Sequence, residues 1–238
     1  MSTPTADGLT IDWATGPTYN TVMAVAAGVG LLLVVDLGRR LRREEEVGVE
    51  GFALAFGILG LLLTATGLHM TLTWPLAPIG FAFDNIIFGE PALVFGVILL
   101  GACVVLVRNA SVVGTPSPLR NAAIERLMGP TAILGVFIGL GCFAIAAAGV
   151  RFQLWVAPPQ EPISGRFSQW PWVEITFIAG LYVLTGLGCV LLPWALRHPR
   201  GLPATVAGVA WALAGLAFAC FGALNYFTHI GLIVNTSA

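Results

Sequence analysis

The chain has 238 residues, of which 57% are hydrophobic and only 10% are charged, and its formal net charge is −1. Soluble domains carry roughly 25% charged residues, so this composition indicates an integral membrane protein whose first partner is the lipid bilayer. The lack of a basic surplus excludes a nucleic-acid-binding protein, which needs a basic face. Because the charges lie between apolar stretches joined by short segments, we predict a single transmembrane domain over residues 1–238.

Six apolar stretches follow one another along the chain, and each is about 20 residues long, as a bilayer-spanning helix requires. Residues 1–20 contain two aspartates and no basic region, so we expect insertion to depend on the first span instead of a signal peptide. The fold class is therefore predicted to be an all-α bundle of six transmembrane helices. The predicted spans cover residues 19–37, 51–74, 88–107, 129–150, 172–196 and 203–227.

The arginines predict the orientation of the bundle. There is no lysine, and nine of the 11 arginines follow the first, third or fifth span, whereas Arg151 and Arg166 lie on the other side. The positive-inside rule then predicts a multi-pass protein of the cell membrane with both termini extracytoplasmic. Five tryptophans are expected to form an aromatic belt at the outer interface: Trp13, Trp74, Trp155, Trp170 and Trp172.

Two local features are expected on the arginine-rich side. Residues 118–128 predict a separate short interfacial helix, with Arg120 and Arg126 facing water and apolar side chains facing lipid. Asp36 lies near the end of the first span and is expected to pair with Arg39 or Arg40.

The spans also suggest an internal repeat of three sequential helical hairpins. The end of the second span aligns with the end of the fourth, which places His69 opposite Arg151, and Glu90 in the third span matches Glu174 in the fifth. Glycines recur within the spans, where small residues let helices pack closely in lipid. Some of these glycines could instead make space for a flat ring such as a porphyrin or a quinone.

Ionisable residues within a bilayer are costly and are functional candidates by default. His69 lies about one and a half turns below Trp74. It could be a neutral histidine bonded to a neighbouring helix, a metal or haem ligand, or a proton relay. Six ionisable residues are predicted near the outer ends of the helices: His69, Asp84, Glu90, Arg151, Glu174 and His229.

Glu90 and Glu174 stand near the first turns of their helices, where the helix dipole favours a carboxylate, so a purely structural role is the simplest explanation. Together with His69 they could also hold a first-row transition metal, and Arg151 could instead neutralise one of them. A haem b held between His69 and His229 is a further alternative, which requires the sixth span to tilt.

The stretch Gly67–Pro75, followed by Phe88-Gly89-Glu90-Pro91, resembles a family of prokaryotic polytopic membrane proteins of unknown function. The resemblance covers mainly the second and third spans, about a quarter of the chain. It implies that His69 and Glu90 belong to the most family-like part of the sequence. It implies no cofactor, substrate or activity.

Three functions stay open at this point. The first is redox chemistry or electron transfer at an outer-face metal or haem site, with a quinone or an extracytoplasmic protein as partner. Such a protein would be a membrane oxidoreductase or a subunit of one. The second is an accessory or scaffolding subunit of a larger membrane complex, or a homo-oligomer. The third is a proton- or cation-coupled transporter, although no charge lies at the bilayer midplane, where transporter sites usually lie. No catalytic residue is identified.

Overall fold

The computed structural model describes residues 19–73 and 83–237, and within these ranges the chain is helical and contains no strand. Six of its helices are long and apolar enough to cross a bilayer, which confirms the predicted all-α class. The helices are α1 (Asn20–Arg42), α2 (Val49–Leu72), α3 (Glu90–Arg108), α4 (Ala110–Gly114), α5 (Arg120–Phe152), α6 (Trp172–Arg197) and α7 (Leu202–Thr236). A π-helical turn (Asn85–Gly89) leads into α3, and a 3₁₀ turn (Ser164–Phe167) lies between α5 and α6.

Two helices are much longer than the sequence predicts. The segment expected as a separate interfacial helix is continuous with α5, which begins at Arg120 and passes through Pro130. The last helix ends at Thr236 instead of residue 227 and has 35 residues. At helical rise this corresponds to about 52 Å, which exceeds the roughly 30 Å hydrocarbon core, so α7 extends beyond it.

The six spans pack as three antiparallel pairs: α2 with α3, α5 with α6, and α7 with α1. These pairs are offset by one helix from the three sequential hairpins predicted from the sequence. Contacts between α1 and α2 and between α6 and α7 join the pairs side by side, whereas α3 and α5 touch only slightly. The helices therefore form a ring that is weakly closed between α3 and α5.

Glycines allow the two helices of each pair to pack with their backbones in contact. A Cβ atom added to Gly28 would lie 2.6 Å from the Gly215 carbonyl oxygen, and one added to Gly139 would lie 2.8 Å from the carbonyl oxygen of the facing helix. Any larger residue would force these backbones apart, as expected for small-residue packing in lipid. The close glycine contacts are Gly28 against Gly215 in the α1–α7 pair, Gly60 against Gly96 in the α2–α3 pair, and Gly139 against Gly186 in the α5–α6 pair.

We call the end of the bundle where α1 ends and α2 begins the arginine end. There Arg120 is only 1% exposed, and its guanidinium donates hydrogen bonds to the carbonyl oxygens of Glu45 at 2.8 Å and Leu41 at 3.0 Å. The prediction that Arg120 faces water is wrong, because this side chain fastens the start of α5 to the end of α1, where the helix dipole favours a cation.

Several other charges of the arginine end form solvent-accessible ion pairs. Asp36 accepts from Arg39 at 2.7 Å and from Arg40 at 2.9 Å, which confirms the predicted pairing. Arg200 lies 2.6 Å from Glu44 and connects the α6–α7 loop to the α1–α2 loop. Exposed pairs of this kind contribute little stability individually, so Arg120 is the stronger tie at this end.

Candidate functional site

The six ionisable residues predicted at the outer ends of the helices lie on the side of the bundle opposite the arginine end. We call this side the terminal end. The six side chains do not form a single cluster there. His69 and Glu90 are exposed, and Arg151 is exposed with its guanidinium 5.7 Å from the Phe152 ring centroid. Within residues 19–73 and 83–237, no three His, Cys, Asp or Glu side chains group closely enough to hold a metal ion. Metal binding by His69, Glu90 and Glu174 stays a prediction.

His69 has a direct partner on another helix. The Tyr19 hydroxyl lies 2.7 Å from its Nδ1 atom, and the two rings meet edge to face with centroids 5.7 Å apart. Burial raises the pKa of Tyr19. The contact ties α2 to the residue that precedes α1, which agrees with the hydrogen-bonded histidine considered above. Haem ligation by His69 and His229 stays a prediction.

Glu174 and His229 lie half-buried near the loop between α5 and α6. Glu161 in that loop is close enough to both side chains to act on them electrostatically. Its carboxylate also accepts backbone N–H groups of Ile163 at 2.9 Å and Gly165 at 3.1 Å. Nothing in the sequence singles out Glu161, and only the proline-rich composition of its loop marks the segment. Its role here is to order that loop.

Asp84 is the most buried of the six candidates at 9% exposed. Burial raises the pKa of its carboxyl group to about 7, so it titrates near neutral pH. The π-helical turn that follows is held by Tyr182, whose hydroxyl donates to the Ile87 carbonyl oxygen, and by the Asn85 side chain, which donates to the Thr73 carbonyl oxygen at 2.7 Å. Asp84 therefore directly precedes a turn that is hydrogen-bonded to α6 and to the end of α2.

Trp155 does not join the predicted aromatic belt. It is 6% exposed and stacks on Tyr182, with ring centroids 5.8 Å apart and planes at 7°. Gly149 makes this possible, because any side chain there would collide with the indole ring. Trp170 and Trp172 are exposed, as residues of a belt should be. Two further predicted members lie outside the described residues, Trp13 and Trp74.

An elongated cavity of about 450 Å³ lies between the three helix pairs, within the range of small-molecule sites. Five spans line it, and α2 contributes only Phe56. The lining extends from Asn20 to Arg42, the first and last residues of α1. At helical rise that is about 33 Å, close to the thickness of the hydrocarbon core. Most of the lining is apolar, and no feature of the sequence other than the recurrent glycines points to a cavity.

In the middle of the cavity, the polar groups of Thr185 and Trp211 are already hydrogen-bonded to protein atoms. The Thr185 hydroxyl donates to the Leu181 carbonyl oxygen within its own helix at 2.8 Å. The Trp211 indole N–H donates to the Thr185 carbonyl oxygen at 3.1 Å. Because both groups are already satisfied by protein atoms, this section suits a hydrocarbon group rather than a polar one.

The two ends of the cavity differ in charge. At the terminal end the polar lining residues are the neutral Asn20 and Asn225, and at the arginine end they include Arg39 and Arg42. Arg39 is paired with Asp36. Arg42 is half-buried and has no hydrogen bond or ion pair to any residue that the structure describes.

The wall of the cavity is thinnest between α3 and α5. Both helices contribute lining residues, including Phe95 and Leu99 from α3 and Ile138 from α5, yet the two helices scarcely touch each other. A molecule dissolved in the surrounding lipid could enter sideways at this seam without passing through either end.

No curated protein and no solved structure matches this chain. A family model matches residues 17–231. The match covers the first five spans and ends within the sixth, and it confirms the resemblance seen in the second and third spans. The chain belongs to the family described as "Protein of unknown function (DUF981)".

Proposed function

We propose that this protein binds a hydrophobic or amphiphilic ligand, taken from the bilayer, in the cavity between its three helix pairs. The observation that carries the proposal is the cavity itself, with a volume of about 450 Å³ and a lining drawn from five spans. Protein interiors normally contain few voids larger than a water molecule. A space of this size at the centre of a bundle therefore favours an occupant.

Energetics support the same conclusion. Empty cavities in apolar cores destabilise a protein in proportion to their volume, so leaving a space of this size unfilled would be costly. Water is a poor occupant, because it needs several polar partners and the Thr185 and Trp211 groups at mid-depth are already engaged. A hydrocarbon chain offsets this cost.

We also propose that the arginine end faces the cytoplasm and that both termini are extracytoplasmic, in the cell membrane. Nine of the 11 arginines support this orientation. Single cysteines placed at Gly201 and at Ser168 in a cysteine-free variant test it with a membrane-impermeant thiol reagent on intact cells. We expect labelling at residue 168 and protection at residue 201, and the reverse pattern would overturn the proposed orientation.

A matched pair of substitutions on α5 tests the proposed binding. Gly135 lines the cavity, and the nearest atom to an added Cβ there is Leu192 Cδ2 at 3.6 Å, so a larger side chain can extend into the cavity. Gly141 on the same helix does not line the cavity, and nothing lies within 4 Å of an added Cβ there. Gly135→Leu should therefore fill the site, whereas Gly141→Leu should not affect it.

The measurement is native mass spectrometry of the three proteins purified in a mild detergent. We expect about one bound hydrophobic molecule per chain in the unmodified protein and in Gly141→Leu, and none in Gly135→Leu. Thermal melting confirms that each variant is folded. Equal ligand content in all three folded proteins would contradict the proposal.

A further inference from the structure

We infer that the ligand is a single-chain amphiphile with an anionic head group, a carboxylate or a phosphate, bound with its head at Arg42 and its tail directed toward the terminal end. This inference deepens the proposed function and rests on it. It assigns the chemical class of the ligand and its direction in the cavity.

The head-group position follows from the distribution of charge along the lining. Arg42 is a half-buried cation without a partner among the described residues, and it lies at the arginine end of the cavity. Its neighbour Arg39 is already engaged in an ion pair with Asp36 at 2.7 Å. An arginine in a partly dehydrated site binds carboxylates and phosphates through short charge-assisted hydrogen bonds. Arg42 therefore selects an anion.

The opposite end gives no competing site for a charged head. Its polar lining residues Asn20 and Asn225 are neutral, and neither a carboxylate nor an ammonium ion would find a counter-charge on them. A ligand with one charged end is therefore most stable with that end at Arg42.

The shape of the cavity indicates one extended chain. Its lining follows α1 from end to end, a length of about 33 Å. A volume of about 450 Å³ spread over this length accommodates an extended hydrocarbon chain. The middle section, where Thr185 and Trp211 are already engaged, suits the methylene groups of such a chain.

Three ligands with the same chain separate the contribution of the head from that of the tail. The experiment measures equilibrium binding of radiolabelled hexadecanoic acid, hexadecanol and hexadecylamine to the full chain in nanodiscs. We expect the acid to bind at least about tenfold more tightly than the alcohol, since a hydrogen bond to a charged group contributes about one such factor or more. The amine should bind most weakly. Hexadecyl phosphate then distinguishes a phosphate head from a carboxylate head.

Two arginine variants locate the head group. Arg42→Gln should reduce acid binding to the level of the alcohol and leave alcohol binding unchanged. Arg42→Lys should keep most of the preference for the acid. The control is Arg43→Gln, because Arg43 is exposed, lies 3.8 Å from Glu45 and does not line the cavity. It should behave as the unmodified protein.

The outcomes separate this inference from the proposed function. If the acid and the alcohol bind equally, or the amine binds most tightly, the anionic head is wrong while the cavity remains a binding site. If the preference for the acid persists in Arg42→Gln, the assigned position and direction are wrong. If none of the three chains binds, both the inference and the proposed function fail. The comparison of acid with alcohol in the unmodified protein requires no variant to fold.

Discussion

Two glycines one turn apart on α5 face the same helix, α6, at different distances. At Gly139 an added Cβ would lie 2.8 Å from the Gly186 carbonyl oxygen, so the backbones of α5 and α6 are in contact. At Gly135 the nearest atom is 3.6 Å away, and the residue lines the central cavity. Glycines of this kind therefore serve two purposes, closing the helix pairs and keeping the interior open, and the distance to the facing helix decides which.

The largest expected effect sharpens this comparison. Gly139→Leu should abolish most folded protein, because the substitution forces two backbones apart and overpacking of this kind costs about 3 kcal/mol or more. Gly135→Leu should stay folded, because its side chain enters open space. The monodisperse fraction after size-exclusion chromatography measures both. Equal yields for the two variants would contradict the difference in available space between positions 139 and 135.

The second prediction concerns the buried tie of the arginine end. Arg120→Met should lower the free energy of unfolding by roughly 3 to 6 kcal/mol, since two hydrogen bonds from a charged donor are lost and two carbonyl groups lose a partner. Reversible unfolding in mixed detergent measures this. Arg126→Met is the matched control on the same helix, because Arg126 is exposed. Similar losses for the two variants would contradict the role given to Arg120.

The third prediction tests the buried carboxyl at the terminal end. The pKa of Asp84 rises from 3.8 to about 7 on folding, so the folded state binds this proton more tightly than the unfolded state. Stability should therefore fall as pH rises from about 4 to 7, by up to about 4 kcal/mol. Asp84→Asn should remove this contribution in thermal melts across that range. Glu50→Gln, at an exposed position, should keep it. An unchanged pH dependence in Asp84→Asn would contradict the assignment of the effect to Asp84.

The smallest expected effect is at the contact between Tyr19 and His69. Tyr19→Phe removes a hydrogen bond of 2.7 Å and should cost about 1 kcal/mol. A double-mutant cycle with His69→Phe isolates the pair, and we expect a coupling energy of about 1 kcal/mol from unfolding measurements. A coupling near zero would leave His69 without a structural role and strengthen the prediction that it binds a metal or haem.

The sequence predicts the six spans well because a bilayer allows few alternatives for apolar stretches of this length. The helix ends are less predictable. Pro130 and the charged residues before it suggest a break, but Arg120 finds backbone partners on α1 and the helix continues through the proline. That partnership is a tertiary contact between residues far apart in the chain, so local pattern does not reveal it.

The cavity could not be predicted for a related reason. Lipid-facing and interior surfaces of these helices are equally apolar, so no polar face marks which side of a helix lies inward. The candidate residues were chosen for ionisable side chains near the helix ends, and most of them lie on the surface or in loop contacts. In the sequence, Arg42 is only one of the nine arginines that predict the orientation. Its place in the cavity lining depends on how α1 is rotated within the bundle.

The most direct test of the central claim is a graded one at Gly135. Hexadecanoic acid binding is measured for the unmodified protein and for Ala, Val and Leu at position 135, with the same three residues at Gly141 as the parallel series. If the cavity holds the chain, affinity should fall stepwise with side-chain size at position 135 and stay constant at position 141. Two parallel series, or a constant affinity at position 135 in folded variants, would contradict binding in this cavity.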